Sequence, residues 1–251
     1  MKKRILITGA TAGFGKAIAE KFAANQHDLI ITGRRIERLE VLKRKLESDH
    51  GVDVHVLPFD VREKEQVTAA INSIPPDKSP NILVNNAGLA SGLSHIQNGD
   101  LEDWDKMIDT NVKGLLYVSR AVLPTMISQG SGHVINIGST AGKEVYENGN
   151  VYCASKHAVD AISKSMRIDL LGTGVKVTQI SPGAADTEFS EVRFHGDKER
   201  AKSVYNGFEP MSAEDIAELT YYAANLPPNL CINDMVVTSL AQANSYYVKR
   251  T

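Results

Sequence analysis

A single α/β domain on a doubly wound parallel sheet, with helices on both faces, is the fold this sequence predicts. Three observations carry that expectation. Short apolar runs rich in Ile, Val and Leu recur along the chain without strict polar alternation, as strands buried on both faces do. Longer amphipathic stretches separate them almost from end to end, which implies repeated right-handed strand–helix–strand crossovers. The 251 residues suffice for one large domain with a sizeable core, and no low-complexity tract or repeat of solenoid length divides residues 1–251.

The expected strands are Arg4–Thr8, Asp28–Gly33, Asp53–Phe59, Asn81–Asn85, His133–Ile137, Val175–Ser181 and Met235–Thr238. Helices are expected over Gly15–Asn25, Ile36–Ser48, Lys64–Ser73, Trp104–Ser128 and Val151–Leu171. In the first of these, Ala17, Ile18, Phe22 and Ala23 fall one turn apart, as an amphipathic helix requires. Pro75-Pro76 and Pro227-Pro228 sit where helices should stop and read as turns. Residues 184–211 break the rhythm, being polar, charged and weakly periodic. A segment that long inside a compact domain reads as a substrate lid.

Composition excludes several classes of function. Lys and Arg number 28 against 30 Asp and Glu, a net charge of −2, which removes the basic footprint of a nucleic-acid or anionic-membrane binder. The apolar run before Gly9 is too short for a signal peptide or membrane span. Two cysteines, Cys153 and Cys231, make no disulfide framework. The seven histidines are scattered without ligand spacing, so no metal site is expected. The chain reads as a reduced cytoplasmic protein.

The first strand runs into Thr8-Gly9-Ala10-Thr11-Ala12-Gly13-Phe14-Gly15. The glycine spacing departs from G-x-G-x-x-G, yet the mechanics are the same: a tight exit from the strand, backbone N–H groups free to approach a pyrophosphate, and a helix N-terminus beyond. A ligand-free turn of small residues would look similar. The second strand ends at Gly33-Arg34-Arg35, 19 residues after Gly15, close to where a dinucleotide fold reads the adenosine ribose. An acid there would accept from a 2′-hydroxyl, whereas two arginines match a 2′-phosphate and so favour NADP(H). The alternative is that both only open the next helix, and Arg38 reads as that kind of surface residue.

Tyr152 and Lys156 are four residues apart in an expected helix and share a face. An ammonium there would favour the phenolate and make Tyr152 a proton donor and acceptor. Ser139 lies thirteen residues earlier, just past a strand's C-terminal end, where open α/β sheets place ligands.

With Asn85-Asn86-Ala87-Gly88 and Asn111, these motifs resemble a short-chain dehydrogenase/reductase across essentially the whole chain. The resemblance implies a Rossmann-like domain transferring hydride between NADP(H) and an alcohol or carbonyl. It implies Tyr152 as acid/base, Ser139 steadying the substrate oxygen, and Lys156 holding the nicotinamide ribose. Asn111 would support a relay water. Gly9, Thr11, Gly13, Phe14 and Gly15 would form the pyrophosphate turn, Asp60 and Val61 would meet the adenine, and Asn86 the adenosine ribose region. Pro182, Gly183, Ala185 and Thr187 would border the carboxamide. Ala12 stands where many NADP-using members carry a basic residue, so the 2′-phosphate reading rests on Arg34 and Arg35.

Thr187–Asp197, with Gly33-Arg34-Arg35, Ser139–Gly142 and Gly149–Tyr152, is similar to the NADP-dependent 3-hydroxy acid dehydrogenase and serine 3-dehydrogenase group. That implies substrates such as serine, allo-threonine or 3-hydroxypropionate, or the matching semialdehydes, and a homotetramer built through the two long helices. Reduction of a 3-oxoacyl thioester, a sugar or a xenobiotic ketone is the alternative. A carboxylate needs a cation, and Arg193 is the leading candidate, with Lys143 second. The competing reading, that Arg193 pairs with Glu188 or Glu191 to shape the lid, is favoured because a segment rich in charges offers partners of its own. A binding protein without turnover would have lost Ser139, Tyr152 or Lys156, and all three are present.

Overall fold

The computed structural model describes residues 2–251. Among them the apolar runs become seven strands: β1 (Arg4–Ile7), β2 (Asp28–Gly33), β3 (Val54–Pro58), β4 (Ile82–Asn85), β5 (Gly132–Ile137), β6 (Val175–Pro182) and β7 (Asp234–Val237). All pair in parallel, in the order β3-β2-β1-β4-β5-β6-β7. Strand order therefore reverses between β1 and β4, and a crevice opens at their C-terminal ends.

The helices are α1 (Gly13–Ala24), α2 (Ile36–His50), α3 (Lys64–Asn72), α4 (Leu101–Ile108), α5 (Leu115–Ser128), α6 (Asn150–Asp169), α7 (Glu188–Arg193), α8 (Lys198–Ser203) and α9 (Ala213–Ala224). Successive strand side chains point to opposite faces, so β1 divides its residues between two cores. Ile5 and Ile7 join Ile18, Phe22, Leu39 and Ala217 under α1, α2 and α9, while Leu6 joins Val67, Val118 and Val159 under α3, α5 and α6. Each such fully buried aliphatic side chain contributes roughly 1.5–3 kcal/mol. No helix of the described residues is long and apolar enough to cross a membrane.

The structure departs from the sequence expectations in three places. The long helix expected over Trp104–Ser128 is interrupted by a π-turn at Asp109–Gly114, which separates α4 from α5. The 184–211 segment, expected as an irregular loop, carries two short capped helices: Thr187 accepts from the Phe189 N–H (3.2 Å) and Asp197 from the Arg200 N–H (3.0 Å). Helix α9 was not expected, because its buried side chains are mostly small and its apolar signal is weak. Its start was nonetheless written in Ser212 and Asp215, which form a reciprocal capping box (3.1 and 2.8 Å).

A buried polar chain ties the sheet to the helices that carry the site. Asn85 on β4 donates to Ser119 of α5 and to Asn136 of β5, both at 2.9 Å. Asn136 in turn donates to Ser163 of α6 (2.9 Å). Replacing Asn136 with Ala strands the partners on either side, so urea unfolding of Asn136→Ala should show a loss on the order of 1–3 kcal/mol. A loss below about 0.5 kcal/mol would mean that the chain contributes little to stability.

Candidate active site

The turn after β1 is built by its glycines. Gly9 and Gly13 have positive φ (69° and 51°), the region side chains avoid, and a Cβ on Gly15 would strike the Gly9 carbonyl and the Asn86 amide. Asn86 pins the turn by donating to the Thr8 and Gly9 carbonyls (2.8 and 3.3 Å). Beyond it, α1 begins at Gly13 with no side-chain cap from Ala12 and no acid in its first turn. The first N–H groups of this 12-residue helix thus remain available to an anion.

Of the cofactor, catalytic and substrate residues expected from the sequence, all but Gly15, Asn111 and Lys143 line one cleft of about 450 Å³. Gly15 lies behind the turn. Asn111 sits in the π-turn with its side chain committed: it accepts from the Leu89 N–H (2.8 Å) and donates to the Leu89 carbonyl (2.8 Å) and the Ser155 hydroxyl (3.0 Å). It positions the Leu89 loop against α6. Lys143 is held by Asp160 and Asp234 on the far side of β6 and takes no part in the cleft.

At one end of the cleft, Arg35 donates to Thr11 Oγ (2.7 and 3.2 Å) and to Glu188 (3.3 Å). Arg38, expected to be a surface residue, is half exposed but also reaches Glu188 (2.9 and 3.1 Å). Arg34 turns toward Asp60 at 3.8 Å, and Asp60 is itself clasped by Arg62 (2.6 Å). A nicotinamide dinucleotide with a 2′-phosphate fits these residues: guanidiniums where the phosphate would lie, an uncapped helix N-terminus at the pyrophosphate, and glycines that leave the approach open.

At the other end, Tyr152 and Lys156 project from α6 beside the end of β5. Ser139 Oγ accepts from the Ala141 N–H (3.1 Å), which leaves its own O–H to donate into the cleft. Lys156 is buried, donates to the Ile137 carbonyl (3.0 Å) and lies 6.0 Å from the centre of the Tyr152 ring. Burial alone pushes its pKa down to about 8.

Burial also pushes the Tyr152 phenol up, and the neighbouring Tyr146 adds to the rise, while Ser139 and the Arg193 guanidinium pull the other way. The sequence assigned that pull to Lys156. In the structure Arg193 exerts it, 5.2 Å above the Tyr152 ring. Arg193 donates to the Tyr146 hydroxyl (2.5 Å), and its buried Nε has no hydrogen-bond partner. Among the described residues no carboxylate pairs with it, because Glu188 faces Arg35 and Arg38 instead.

The sequence reading did not single out Tyr146, Phe189 or Gln242. Phe189 meets the Tyr152 ring edge-on (5.6 Å, 61°), and Gln242 accepts from the Ala184 N–H (2.8 Å), fixing the floor of the cleft from the C-terminal segment. Nothing in their local sequence marks them, since each depends on a contact distant along the chain.

Residues 3–198 match the family model described as short chain dehydrogenase. The chain belongs to the short-chain dehydrogenase family. It is similar to the NADP-dependent 3-hydroxy acid dehydrogenase of Salmonella typhi, 46% identical over 241 residues, 95% of this chain and 96% of that protein. It is equally similar to the sulfoacetaldehyde reductase of Chromohalobacter salexigens, 46% identical over 245 residues, 97% of this chain and 96% of that one. A solved structure of serine dehydrogenase in its closed form, complexed with NADP+, superposes with a TM-score of 0.92 at 42% identity, covering 99% of this chain and 100% of that one. This short-chain dehydrogenase is thus an NADP-dependent oxidoreductase, and its Tyr152, Lys156 and Ser139 line one cleft.

Lys156 gives a pH signature. With its folded pKa near 8 and an unfolded value near 10.4, the fold carries the full cost of a buried charge below about pH 8. That cost, on the order of 3 kcal/mol, disappears as pH rises toward the unfolded value. Urea melts at pH 7 and pH 10 should therefore show the wild-type protein gaining stability relative to Lys156→Met. A difference that stays flat over that range would show that Lys156 is not held as a desolvated ammonium.

Proposed function

We propose that the protein is an NADP(H)-dependent oxidoreductase that interconverts short 3-hydroxy acids, of the serine, allo-threonine and 3-hydroxypropionate type, with the matching semialdehydes. The observation that carries the substrate class is Arg193, a guanidinium without a carboxylate partner, lying over the ring of Tyr152. An aldehyde oxygen at Tyr152 would place an acid group one methylene away beside that cation. The named activities of two relatives share this geometry, because sulfoacetaldehyde and a malonic-type semialdehyde both carry an anion one methylene from the carbonyl. A planar fork of donors accepts either a carboxylate or a sulfonate.

When bound, NADP(H) supplies or accepts the hydride. The N–H groups at the start of α1 hold its pyrophosphate, and Arg34, Arg35 and Arg38 receive its 2′-phosphate. In reduction, Tyr152 gives its phenolic proton to the substrate oxygen as charge develops there, and Ser139 donates a second hydrogen bond to the same atom. In oxidation, Tyr152 must ionise first; burial opposes this, and Ser139 and Arg193 favour it. Lys156 holds the nicotinamide ribose. Phe189 and Tyr146 close the pocket over the reacting atoms, and 184–211 serves as the lid that carries Arg193.

The resemblance also implies a cytoplasmic homotetramer. Four apolar side chains left exposed on α5 and α6 and just beyond them, Leu116, Ile127, Ile168 and Leu171, favour burial against other copies, and light scattering behind size exclusion should return four times the 27.3 kDa chain mass rather than one.

One kinetic series tests the reaction and the substrate together, using NADP+ with 3-hydroxypropionate, L-serine and a neutral alcohol of similar size. Tyr152→Phe should lower kcat by at least about a hundredfold while NADPH still binds. Arg193→Ala should raise KM for the free acids at least about tenfold and leave the neutral alcohol nearly unchanged. Equal effects on acid and alcohol would reject carboxylate binding at Arg193. Activity confined to a neutral ketone or a thioester would transfer the site to another carbonyl.

A further inference from the structure

Glu188 has no place in the chemistry above, yet it is the residue on which the cofactor's arginines converge. It opens α7, in the segment that covers the substrate end, and its carboxylate accepts from Arg35 (3.3 Å) and twice from Arg38 (2.9 and 3.1 Å). On one side of it, Thr187 sits so close to the pyrophosphate turn that a Cβ on Gly13 would lie 3.4 Å away. On the other, Phe189 packs against Tyr152. One short segment therefore touches the 2′-phosphate arginines, the pyrophosphate turn and the acid/base residue.

We propose that Glu188 is the counter-ion that the cofactor's 2′-phosphate displaces, and that until then it ties the lid to α2, so that the phosphate of NADP(H) releases α7 and NAD(H) does not. Charge decides the exchange. Arg35 and Arg38 face Glu188, while Arg34 and Arg62 face Asp60. A phosphate monoester brings roughly −1.5 to −2 at neutral pH, so keeping Glu188 on Arg35 and Arg38 as well would leave those two cations outweighed by negative charge. Asp60 keeps Arg62 as its own partner, so Glu188 is the one that yields. The phosphate offers more oxygens and more charge to the two forks than a carboxylate does. When Glu188 lets go, α7 loses its tie to α2, and Phe189 and Arg193 are freed at the substrate end. NAD(H) has no group to displace Glu188, so it leaves the lid tied.

The inference rests on the arginines receiving the 2′-phosphate and is independent of which acid is the substrate. The test uses 2′,5′-ADP, which carries the phosphate without the nicotinamide, and AMP as its counterpart, with binding read by calorimetry on the intact protein. Glu188→Gln keeps the shape of an exposed side chain and removes its charge. It should bind 2′,5′-ADP about three- to tenfold more tightly than wild type, the strength of the exposed ion pairs removed, with AMP unchanged.

Hydrogen exchange supplies the second reading. In wild type, 2′,5′-ADP but not AMP should speed exchange of the α7 amides, and free Glu188→Gln should already exchange at the faster rate. Equal or weaker binding of 2′,5′-ADP by Glu188→Gln, or α7 exchange that ignores the phosphate, overturns the displacement. Arg35→Ala with Arg38→Ala separates the two claims. If that pair weakens 2′,5′-ADP while Glu188→Gln does nothing, the arginine site stands and the latch falls. If neither change matters, the 2′-phosphate site falls as well.

Discussion

The ends of β1 and β4 are neighbours in the sheet, and their connections run to opposite faces. The chain must hold those ends together without filling the space between them. Thr8 does this with one hydroxyl, which accepts from the Asn86 and Ala87 N–H groups at 3.0 and 2.9 Å and donates to the Val84 carbonyl at 3.3 Å. Asn86 returns two hydrogen bonds to the Thr8 and Gly9 carbonyls. Satisfying these backbone groups internally removes their need for other partners, so the turn can stay thin and the helix behind it uncapped. The cleft, the approach to α1 and the placing of Ser139 two strands away all depend on that clamp.

The electrostatics of the reacting end follow from burial. A phenol and an ammonium side by side in a pocket with little water both prefer to be neutral, and the structure shows both shifts, upward for Tyr152 and downward for Lys156. The ammonium of Lys156 donates to the Ile137 carbonyl and stands 6.0 Å from the centre of the Tyr152 ring, farther than the Arg193 guanidinium at 5.2 Å. The compensation comes from Arg193, a permanent cation that cannot be neutralised by desolvation. On the proposed reading of the site, a guanidinium there would serve proton transfer and anion recognition with one group.

Much of this was legible in the sequence because the same property produced the signal and the structure. All seven strands were found where apolar residues cluster; β1, β2, β4, β5 and β6 are buried almost throughout, and a strand buried on both faces has no polar side to hide it. Gly9, Gly13, Arg35, Ser139, Tyr152 and Lys156 stand out because local spacing places them. The π-turn was not legible: Asp109–Gly114 is poor in helix formers, which marks a weak stretch but not its type, and the contact of Asn111 with Leu89 that accompanies the turn lies 22 residues away. Arg38 is the exposed residue of α2 that the sequence suggested, and only its reach to Glu188, 150 residues away, was not legible. Lys143 looked free in the sequence, and only β7 and α6 show it is not.

If 184–211 is the lid proposed above, its short helices have a purpose. Phe189 and Arg193 are four residues apart, so a single helical turn sets both toward Tyr152. Glu188 is one residue earlier, about 100° round the same turn, and points to α2 instead. An extended chain would also put Phe189 and Arg193 on one face, but about 13 Å apart, too far for both to meet the same ring. The cap from Thr187 fixes where that turn begins, and Tyr205 holds its far side by donating to the Ala185 carbonyl (2.7 Å) and meeting Ser190 (2.7 Å). Two ends of one ligand cleft, too far apart for any one side chain to span, are thereby placed on a single rigid turn, and a displacement at the arginines must reach the phenol through it.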